Sequence, residues 1–354
     1  MTRPFVSVLV DTYNHERFIE QALRSVLDQD FPAGEREIIV VDDGSSDRTP
    51  EIVRKFAPHV RLIRKTNGGQ ASAFNAGIAE CRGEIIAFLD GDDWWAPGKL
   101  RTVCECLRAN PDLGAVGHGL YEVFPDERAP RLVVPEKTVR LSLKDVPTAR
   151  LFSHLRAFLG TSRLTLRRSL LERILPVPEE LVIEADEFLF TLASALGTVL
   201  VLDTPLFYYR IHSENLYQFN SQDSAKLRRK EAVLSALLRV LPPKLAQAGC
   251  PETVVRAVLE SIWVDAERMR LSLNGGVTWR TFQAERTAYR LSYRECSAGY
   301  RVFQAMALGI SLLLPPRSFY RLRNWYTVKS LSRIRRLFGE ATPAAPVLEK
   351  WMDT

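Results

Sequence analysis

Short apolar runs alternate with helical patterns along the first hundred residues of the chain. Four of these runs predict strands that are buried on both faces of a parallel sheet. They occupy residues 6–10, 37–41, 60–63 and 84–89. Between the first two, apolar residues recur at helical spacing from Phe18 to Leu27, which predicts a helix that packs one face on the sheet.

Two further helices are predicted between the later strands. Thr49 followed by Pro50 is typical of an N-cap with proline at the first helical position, and residues 70–81 predict a third crossover helix. Helix therefore follows strand in the order βαβαβαβ. That order is typical of an α/β fold with a largely parallel central sheet.

The pattern changes beyond residue 100. Helical stretches at 101–109 and 187–196 flank a proline-dotted middle, and from about residue 221 leucines recur at helical spacing among charged residues. We therefore expect an α/β domain followed by an α-helical C-terminal region. The expected ranges are 1–218, divided into 1–100 and 101–218, and then 219–354.

Composition places the chain among soluble globular proteins, since 46% of its residues are hydrophobic and 25% are charged. The first residues lack the apolar stretch and the cleavage site of a secretory signal, so we expect a cytoplasmic protein. The five cysteines are scattered, which argues against both a disulfide framework and a zinc site.

Acidic loops follow three of the predicted strands, at 11–14, 42–47 and 90–93. The carboxyl ends of parallel strands meet at one edge of the sheet, where such folds bind their ligands. Carboxylates crowded there repel each other unless a cation is present. Oxygen ligands favour Mg²⁺ or Mn²⁺, which complete their shells with water and substrate phosphates. The loops therefore predict a divalent metal and a diphosphate ligand.

These strands and loops together resemble the family 2 glycosyltransferases. The segments that carry the resemblance are 8–14 (VLVDTYN), 39–47 (IVVDDGSSD) and 87–94 (AFLDGDDW). The resemblance implies the GT-A fold, a nucleotide-sugar donor that is usually a UDP-sugar, and inversion at the anomeric carbon. It also implies a carbohydrate or lipid-linked hydroxyl acceptor, in the synthesis of cell-surface polysaccharide, glycolipid or glycoconjugate.

Donor and metal contacts follow by position from this resemblance. Thr12 and Tyr13 would line the base and ribose pocket, and Asp42 would accept a hydrogen bond from uracil. Asp92, the last acid of the D-x-D motif, would ligate the metal, and Asp90 would contact the ribose or serve as a further ligand. The other donor-binding residues that it implies are Asn14, Asp43, Asn67, Gly69, Gln70, Asn75 and Gly91.

Two positions depart from the family pattern. Phe74 stands where many members have Arg, and an aromatic side chain cannot neutralise a phosphate. Ala185 replaces the first acid of the segment E-D-x-x-L, whose Asp corresponds to Asp186. The resemblance implies that Asp186 is the general base, and Glu184 and Glu187 remain alternatives.

Residues 208–215 (YYRIHSEN) resemble the end of many family 2 catalytic domains. This resemblance implies a donor contact for Arg210 and a metal or diphosphate contact for His212. Trp94 and Trp95 follow the metal loop and are candidates for an acceptor platform, because aromatic rings suit the apolar face of a sugar. Packing in the core is the alternative for both.

A basic and aromatic segment occupies 315–339, with seven Lys or Arg and no acidic residue. The apolar stretch before it, 302–314, is shorter than the roughly 20 residues that span a bilayer. The mixture suits an anionic membrane surface, so we expect peripheral attachment to the inner face of the cell membrane. A helix face packed on the catalytic domain is the alternative. No recognised nucleic-acid module is present, so we expect no nucleic-acid partner.

Other function classes lack their motifs here. Nucleotidyl transferases carry a glycine-rich basic loop after the first strand, and dinucleotide oxidoreductases carry G-x-G-x-x-G at that place. Residues 11–15 (DTYNH) fit neither motif. A catalytically silent nucleotide-sugar-binding or scaffold protein remains an alternative, because Phe74 and Ala185 replace family residues.

Overall fold

The computed structural model describes residues 5–125, 129–212, 224–293 and 298–325, which form two compact units. The first unit is drawn from 1–144, 154–215 and 243–250, and the second from 145–153, 216–242 and 251–354. The domain boundary expected between 218 and 219 lies outside the described residues.

The first four strands lie where the apolar runs predict them, to within two residues at each end. The strands are β1 (Val6–Thr12), β2 (Arg36–Asp42), β3 (Arg61–Arg64), β4 (Ile85–Asp90), β5 (Trp94–Trp95), β6 (Leu113–Val123), β7 (Arg131–Val133), β8 (Val139–Leu141), β9 (Thr165–Arg167) and β10 (Thr198–Arg210).

The crossover helices between the first four strands are likewise confirmed, as are the helical stretches on either side of the proline-dotted middle. The helices are α1 (Ile19–Leu27), α2 (Thr49–Arg54), α3 (Gln70–Glu80), α4 (Lys99–Ala109), α5 (Val146–Leu155), α6 (Arg168–Leu171), α7 (Ala185–Leu196), α8 (Ser224–Gln247), α9 (Glu252–Asn274), α10 (Thr278–Ala288), α11 (Ala298–Leu313) and α12 (Pro316–Trp325).

One mixed sheet joins the strands of the described residues in the order β3-β2-β1-β4-β9-β6-β10-β5, with β7 beside β6 and β8 beside β10. Strand β1 pairs in parallel with β2 and β4, and β2 pairs in parallel with β3. Strand β9 lies antiparallel between β4 and β6. The α/β fold class is confirmed, and the short antiparallel strands are an addition that the hydrophobic pattern did not indicate.

Chain order reverses between β1 and β4. From β1 the chain adds β2 and then β3 on one side, and it returns to the other side with β4. Open α/β sheets bind ligands at such a switch point, outside the carboxyl ends of the strands. Residues 8–10 of β1 and 85–89 of β4 are fully buried, so the sheet beneath this edge is solid core.

The N-cap predicted at Thr49 is wrong by one residue. Helix α2 already includes Thr49, and Arg48 occupies the N-cap position. Instead of capping the helix, the buried Thr49 hydroxyl accepts a hydrogen bond from the backbone N–H of His15 at 2.8 Å. The side chain therefore joins the start of α2 to the loop that follows β1.

Gly69 allows the start of α3 to approach the backbone of Val182 closely. Its φ of 82° lies in the left-handed region that favours glycine. A Cβ at this position would lie 2.6 Å from both the Cα and the carbonyl oxygen of Val182. The next amide, that of Gln70, donates to the same carbonyl at 3.0 Å. Close backbone approach therefore fixes where α3 begins.

The second unit contains α9 to α12. Leu271, Phe319 and Tyr320 form a small buried cluster, to which Leu314 adds a half-buried side chain. Beside it, the carboxylate of Glu285 accepts hydrogen bonds from Arg268, Tyr320 and Arg323. Burial alone would raise the pKa of Glu285, but the two guanidinium groups lower it below its ordinary value.

This packing corrects part of the expectation for 315–339. Phe319 and Tyr320 are each only 4% exposed, so these two aromatic side chains face the interior of the unit and not a membrane. Arg317 donates to the carbonyl of Leu273, and Arg323 pairs with Glu285. Residues 326–339 lie outside the described part of the chain. Within the described ranges, no helix combines the length and the apolar character needed to cross a bilayer.

We expect Gly69→Ala to lower the stability of the first unit. An alanine in the left-handed region costs about 1–2 kcal/mol, and overpacking against a backbone adds roughly 1–3 kcal/mol. The midpoint of thermal unfolding, followed by circular dichroism, should fall by several degrees. Gly34→Ala is the matched control, because nothing lies within 4 Å of its added Cβ. Equal melting of both variants would show that the contact with Val182 is not tight.

Candidate active site

Two carboxylates meet at the switch point of the sheet. Asp11 of β1 and Asp90 of β4 are direct partners in the parallel register, close to the carboxyl ends of both strands. Burial, together with the charges of neighbouring acids, raises the pKa of each well above its ordinary value. For Asp11 the largest of those charges is Asp92, and for Asp90 it is Asp11. The sequence-based expectation of crowded carboxylates at one edge therefore holds for these strands.

The loop after β1 is fastened to the loop after β2 by Asn14. This residue has φ of 57°, and its backbone N–H donates to the Ser45 hydroxyl at 2.8 Å. Its side-chain oxygen accepts from the backbone N–H of Ser46 at 2.9 Å. Next to it, Tyr13 is 45% exposed. Asn14 therefore holds the two loops together, whereas the side chain of Tyr13 is exposed to solvent.

Asp42 and Asp43 hold neighbouring backbone in place. The Asp42 side chain has no exposed surface, and its oxygens accept from Arg64 Nε at 3.0 Å and from the Ser45 amide at 3.2 Å. Asp43 accepts from the amides of Gly68 at 3.0 Å and Gly69 at 2.7 Å, and it pairs with Lys65 at 2.7 Å.

A similar internal role falls to Asn75. Its side-chain amide exchanges two hydrogen bonds with the backbone of Val177, at 2.8 and 2.9 Å. Phe74 is fully buried and packs edge-on against Phe88 at a centroid distance of 5.1 Å. The aromatic residue that replaces the family Arg thus belongs to the core. Asn67, by contrast, is exposed on the loop before α3.

Ser162 joins the loop at residues 90–93 to the segment before β9. Its hydroxyl accepts from the Asp90 amide at 3.1 Å and lies 2.7 Å from Asp93 Oδ2 and 3.1 Å from Asp90 Oδ2. The Ser162 hydroxyl has one proton and can donate it to only one of the two carboxylates, so the other contact requires a proton on the acid. Consistently, burial and the charge of Asp92 raise the pKa of Asp93 to about 8.

Lys99 places a buried amino group next to this cluster. The side chain is fully buried, donates to the carbonyl of Ser162 at 2.6 Å, and lies 3.9 Å above the ring of Trp95. Burial and the neighbouring charge of Arg163 lower the pKa of Lys99 well below its ordinary value, while Asp93 and Asp90 act in the opposite direction.

Asp92 stands between two histidines. Its Oδ2 lies 3.0 Å from His212 Nε2, and both side chains are largely buried. Burial alone would raise the pKa of Asp92, but the charge of His15 and the hydrogen bond with His212 lower it below its ordinary value. His15 Nδ1 lies 3.2 Å from the Thr12 hydroxyl, and a Cβ added at Gly91 would lie 2.8 Å from it. Sequence reasoning missed His15, although it directly follows the first acidic loop.

Asp186 lies in the first turn of α7 and is 7% exposed. Its Oδ2 accepts from the backbone N–H of Thr161 at 2.9 Å and from the Thr161 hydroxyl at 3.1 Å. Gln70 bridges this region, because its side-chain nitrogen donates to Thr161 at 3.1 Å and its oxygen accepts from the Ala185 amide at 2.9 Å. Asp186 also raises the pKa of Asp90 through its charge, so the two carboxylates belong to one cluster.

The two alternative acids differ from Asp186. Glu187 pairs with Arg156 at 2.9 Å, and burial raises its pKa despite that partner. Glu184 adopts φ of 55° and occupies the N-cap position of α7. The Glu187 carboxylate is therefore engaged with Arg156, whereas Glu184 contributes its backbone to the start of the helix.

Arg210 and Trp94 belong to one stack of side chains. The Arg210 guanidinium lies 4.5 Å from the centroid of the Trp94 ring, and Trp94 stacks on Tyr208 at 5.1 Å with 7° between the planes. Tyr208 in turn stacks on Tyr121 at 4.9 Å. Trp94 is half-buried, whereas Trp95 is 2% exposed, so the packing alternative applies to Trp95.

Arg210 also makes hydrogen bonds to the loop at residues 90–93. Its Nε donates to the carbonyl of Asp92 at 2.9 Å, and its backbone N–H donates to Asp93 at 3.0 Å. A further bond joins it to Gln21 at 2.6 Å.

The donor set fits a divalent cation. Asp11 Oδ1 is buried and makes no hydrogen bond, and Asp92 with His212 offers carboxylate oxygen and imidazole nitrogen side by side. These atom types suit Mn²⁺ or Mg²⁺ with water and phosphate completing the shell. Within the described ranges, no three His, Cys, Asp or Glu side chains are grouped so that they could hold a metal among themselves.

Asp93 should make the stability of the metal-free protein depend on pH. Its folded pKa of about 8 lies above the unfolded value of about 3.9, so folding favours the protonated form. Its contribution is therefore complete below about pH 4 and is lost as the pH rises towards 8, by at most about 1.4 kcal/mol per pH unit.

Asp93→Asn should flatten this dependence in urea unfolding measured with chelator from about pH 5 to about pH 9. The same substitution at the exposed Asp28 is the control and should keep the wild-type slope. Identical slopes for wild type and Asp93→Asn would contradict the assignment.

Known proteins resemble this chain in sequence and in fold. The family model for glycosyl transferase family 2 matches residues 7–175. An uncharacterized glycosyltransferase of a Nostoc species is 33% identical over 217 residues, which cover 59% of this chain and 66% of the relative. The uncharacterized glycosyltransferase EpsJ of Bacillus subtilis is 34% identical over 221 residues, which cover 60% of this chain and 63% of the relative. The match thus spans slightly less than two thirds of each relative.

The fold also resembles a solved structure, that of Staphylococcus aureus TarS 1–349 in complex with UDP-GlcNAc. The TM-score is 0.59 over 93% of both chains, and the sequences are 20% identical. This likeness concerns the fold, which is of the GT-A type. The resemblance to glycosyl transferase family 2 is confirmed by the family model, which matches residues 7–175.

Proposed function

We propose that this chain is an inverting glycosyltransferase that moves a sugar from a UDP-sugar to a hydroxyl acceptor. The observation that supports this best is the convergence of Asp90, Asp92 and Asp186 at the switch point of the sheet. The charges of Asp92 and Asp186 both raise the pKa of Asp90, although Asp186 comes from an element almost a hundred residues away. A transferase needs both a site for the diphosphate and a base for the acceptor within one crevice.

The donor half of the proposal rests on Thr12, Tyr13 and Asn67. Tyr13 and Asn67 are exposed, and the buried Thr12 ends β1 directly before Tyr13. We assign Asp42, Asp43 and Asn75 to holding the loops, because their carboxylate or amide groups are engaged with the protein. Family members elsewhere bind uridine nucleotides, as in the TarS complex with UDP-GlcNAc, which favours UDP as the first nucleotide to test.

We propose that Asp92 and His212 hold the divalent metal, with Asp11 and Asp90 close enough to share its charge. A bound metal would stabilise the charge that develops on the leaving diphosphate, as a Lewis acid. Arg210 holds the carbonyl of Asp92 and the carboxylate of Asp93, so it positions the metal loop. The His15 ring lies near the same loop, with its Nδ1 3.2 Å from the Thr12 hydroxyl.

Asp186 is the proposed general base. Two donors from Thr161 hold its Oδ2, which fixes the direction of the carboxylate. An acceptor hydroxyl beside it would lose its proton to the carboxylate while its oxygen attacks the anomeric carbon opposite the diphosphate. Inversion follows from this single displacement. Trp94, backed by Tyr208 and Arg210, is the proposed platform for the acceptor sugar.

Asp92→Ala should abolish metal-dependent binding of UDP. Removing this carboxylate leaves His212 without its charged partner and the cation without its main ligand. Calorimetric titration with UDP, with and without Mn²⁺, should show binding that needs the metal in wild type and none in the variant. GDP is the comparison nucleotide, and Asp112→Ala, on the exposed surface, is the control substitution. Equal UDP affinity with and without metal would contradict the metal assignment.

Asp186→Asn should keep UDP binding but lose turnover. The amide keeps the shape of the side chain but cannot accept a proton, and a positioned base typically contributes about 10²–10⁴-fold. The measurement is sugar transfer or donor hydrolysis across a set of UDP-sugars. Glu184→Gln and Glu187→Gln are the matched variants, and a larger loss in either would move the role to that acid. Nucleotide binding without any turnover in wild type would favour the silent scaffold instead.

A further inference from the structure

Helix α11 exposes an apolar stripe along one face. Val302 is 58% exposed, Met306 51%, Ile310 39% and Leu313 80%. These positions follow each other at intervals of four, four and three, which is the spacing of one face of an α-helix. Ala305 and Gly309, which fall on the same face, are exposed as well. The exposure therefore forms a continuous strip and not a set of scattered side chains.

The other face of α11 is occupied by the second unit itself. The helix packs against α10 and α12, and Ser311 is fully buried on that side. No charged residue interrupts the sequence from 302 to 314. A helix that is apolar on both faces is expected in a core or at an apolar interface, and here one of the two faces is open to solvent.

Positive charge lies beside the N-terminal end of the stripe. A cleft of about 750 Å³ is lined by Arg286, Arg290 and Arg301, together with Trp263 and Tyr289. Arg301 directly precedes the first stripe residue, and all three arginines are exposed. Three arginines and no acidic residue are among the lining residues, and Arg290 also pairs with Glu260 at 2.7 Å.

Further cations flank the other end of the stripe. Arg317 and Arg321 of α12 are exposed, and Leu322 on the same helix is 45% exposed. The sequence from 315 to 339 contains no acidic residue. Apolar side chains rimmed by arginine at both ends match the chemistry of a bilayer interface that carries anionic headgroups.

We propose that the stripe Val302, Met306, Ile310 and Leu313 docks on an anionic phospholipid surface, with α11 lying in the plane of the membrane. The stripe runs over roughly 17 Å, at about 1.5 Å per residue, which is too short to cross the roughly 30 Å hydrocarbon core. The arginine-lined cleft receives lipid phosphates at its rim. This docking surface is independent of the proposed transferase activity and differs from the buried aromatic residues of α12.

A second copy of the chain fits the surface less well. Two-fold pairing through α11 would bring the same surface patch together in both copies. Arg286 and Arg321 of one copy would then approach those of the other, and the stripe between them carries no acidic residue. The charge pattern thus favours an anionic surface over self-association.

Flotation of the full-length protein with lipid vesicles tests the proposal. Wild type should float with vesicles of phosphatidylcholine and phosphatidylglycerol and much less with phosphatidylcholine alone, and added salt should weaken the binding. Ile310→Asp and Met306→Asp should each weaken binding roughly tenfold or more, because a charge would replace an apolar side chain that the membrane buries in the bound state. Val277→Asp, at an equally exposed valine before α10, should bind like wild type.

Three controls keep the outcomes distinct. Circular dichroism checks folding, and if the aspartate variants misfold, Met306→Gln and Arg286→Glu take their place with the same expected loss. UDP titration runs in parallel, so failure of the transferase proposal leaves the vesicle result interpretable. Binding that is unchanged in the stripe variants, or equal on neutral vesicles, would overturn the proposal. So would a wild-type dimer in size-exclusion chromatography with light scattering that Ile310→Asp converts to monomer.

Discussion

Mutual repulsion among carboxylates at the β1/β4 edge is the constraint on which the first unit depends. Parallel pairing brings Asp11 and Asp90 side by side, and the turn after β4 adds Asp92 and Asp93. Burial strengthens the repulsion between the charges in such a cluster, because water no longer screens them. The surrounding residues are arranged so that these acids can share one crevice in a folded protein.

Different acids are accommodated in different ways. Asp93 keeps a proton up to nearly neutral pH, Asp92 is paired with histidine, and Lys99 sits fully buried under the loop. Asp186 receives two donors from Thr161. Asp11 is accommodated least well, because its buried Oδ1 has no hydrogen-bond partner. This uneven distribution favours a cation at the centre of the cluster.

The hydrophobic pattern was sufficient for the strands and crossover helices of the first hundred residues, because buried parallel strands produce long apolar runs. It also placed the acidic loops at one edge. It could not assign individual roles where the deciding contact comes from a distant segment. The sequence predicts a ligand-binding role for Asn75, but its side chain is hydrogen-bonded to the backbone of Val177. Likewise, Trp95 is a candidate platform in the sequence, but Lys99 covers its ring. Ser162 gives no signal of its own, since only the insertion of β9 beside β4 brings it to the acids.

The hydroxyl of Ser162 has a consequence for how relatives of this chain can be recombined. It ties Asp90 and Asp93, within the first hundred residues, to the segment before β9. A chimera that takes its first hundred residues from one relative and the rest from another would place a foreign side chain against these acids. An exchange between relatives therefore has to carry the loop at 90–93 and the segment at 161–163 together, although some seventy residues separate them in the chain.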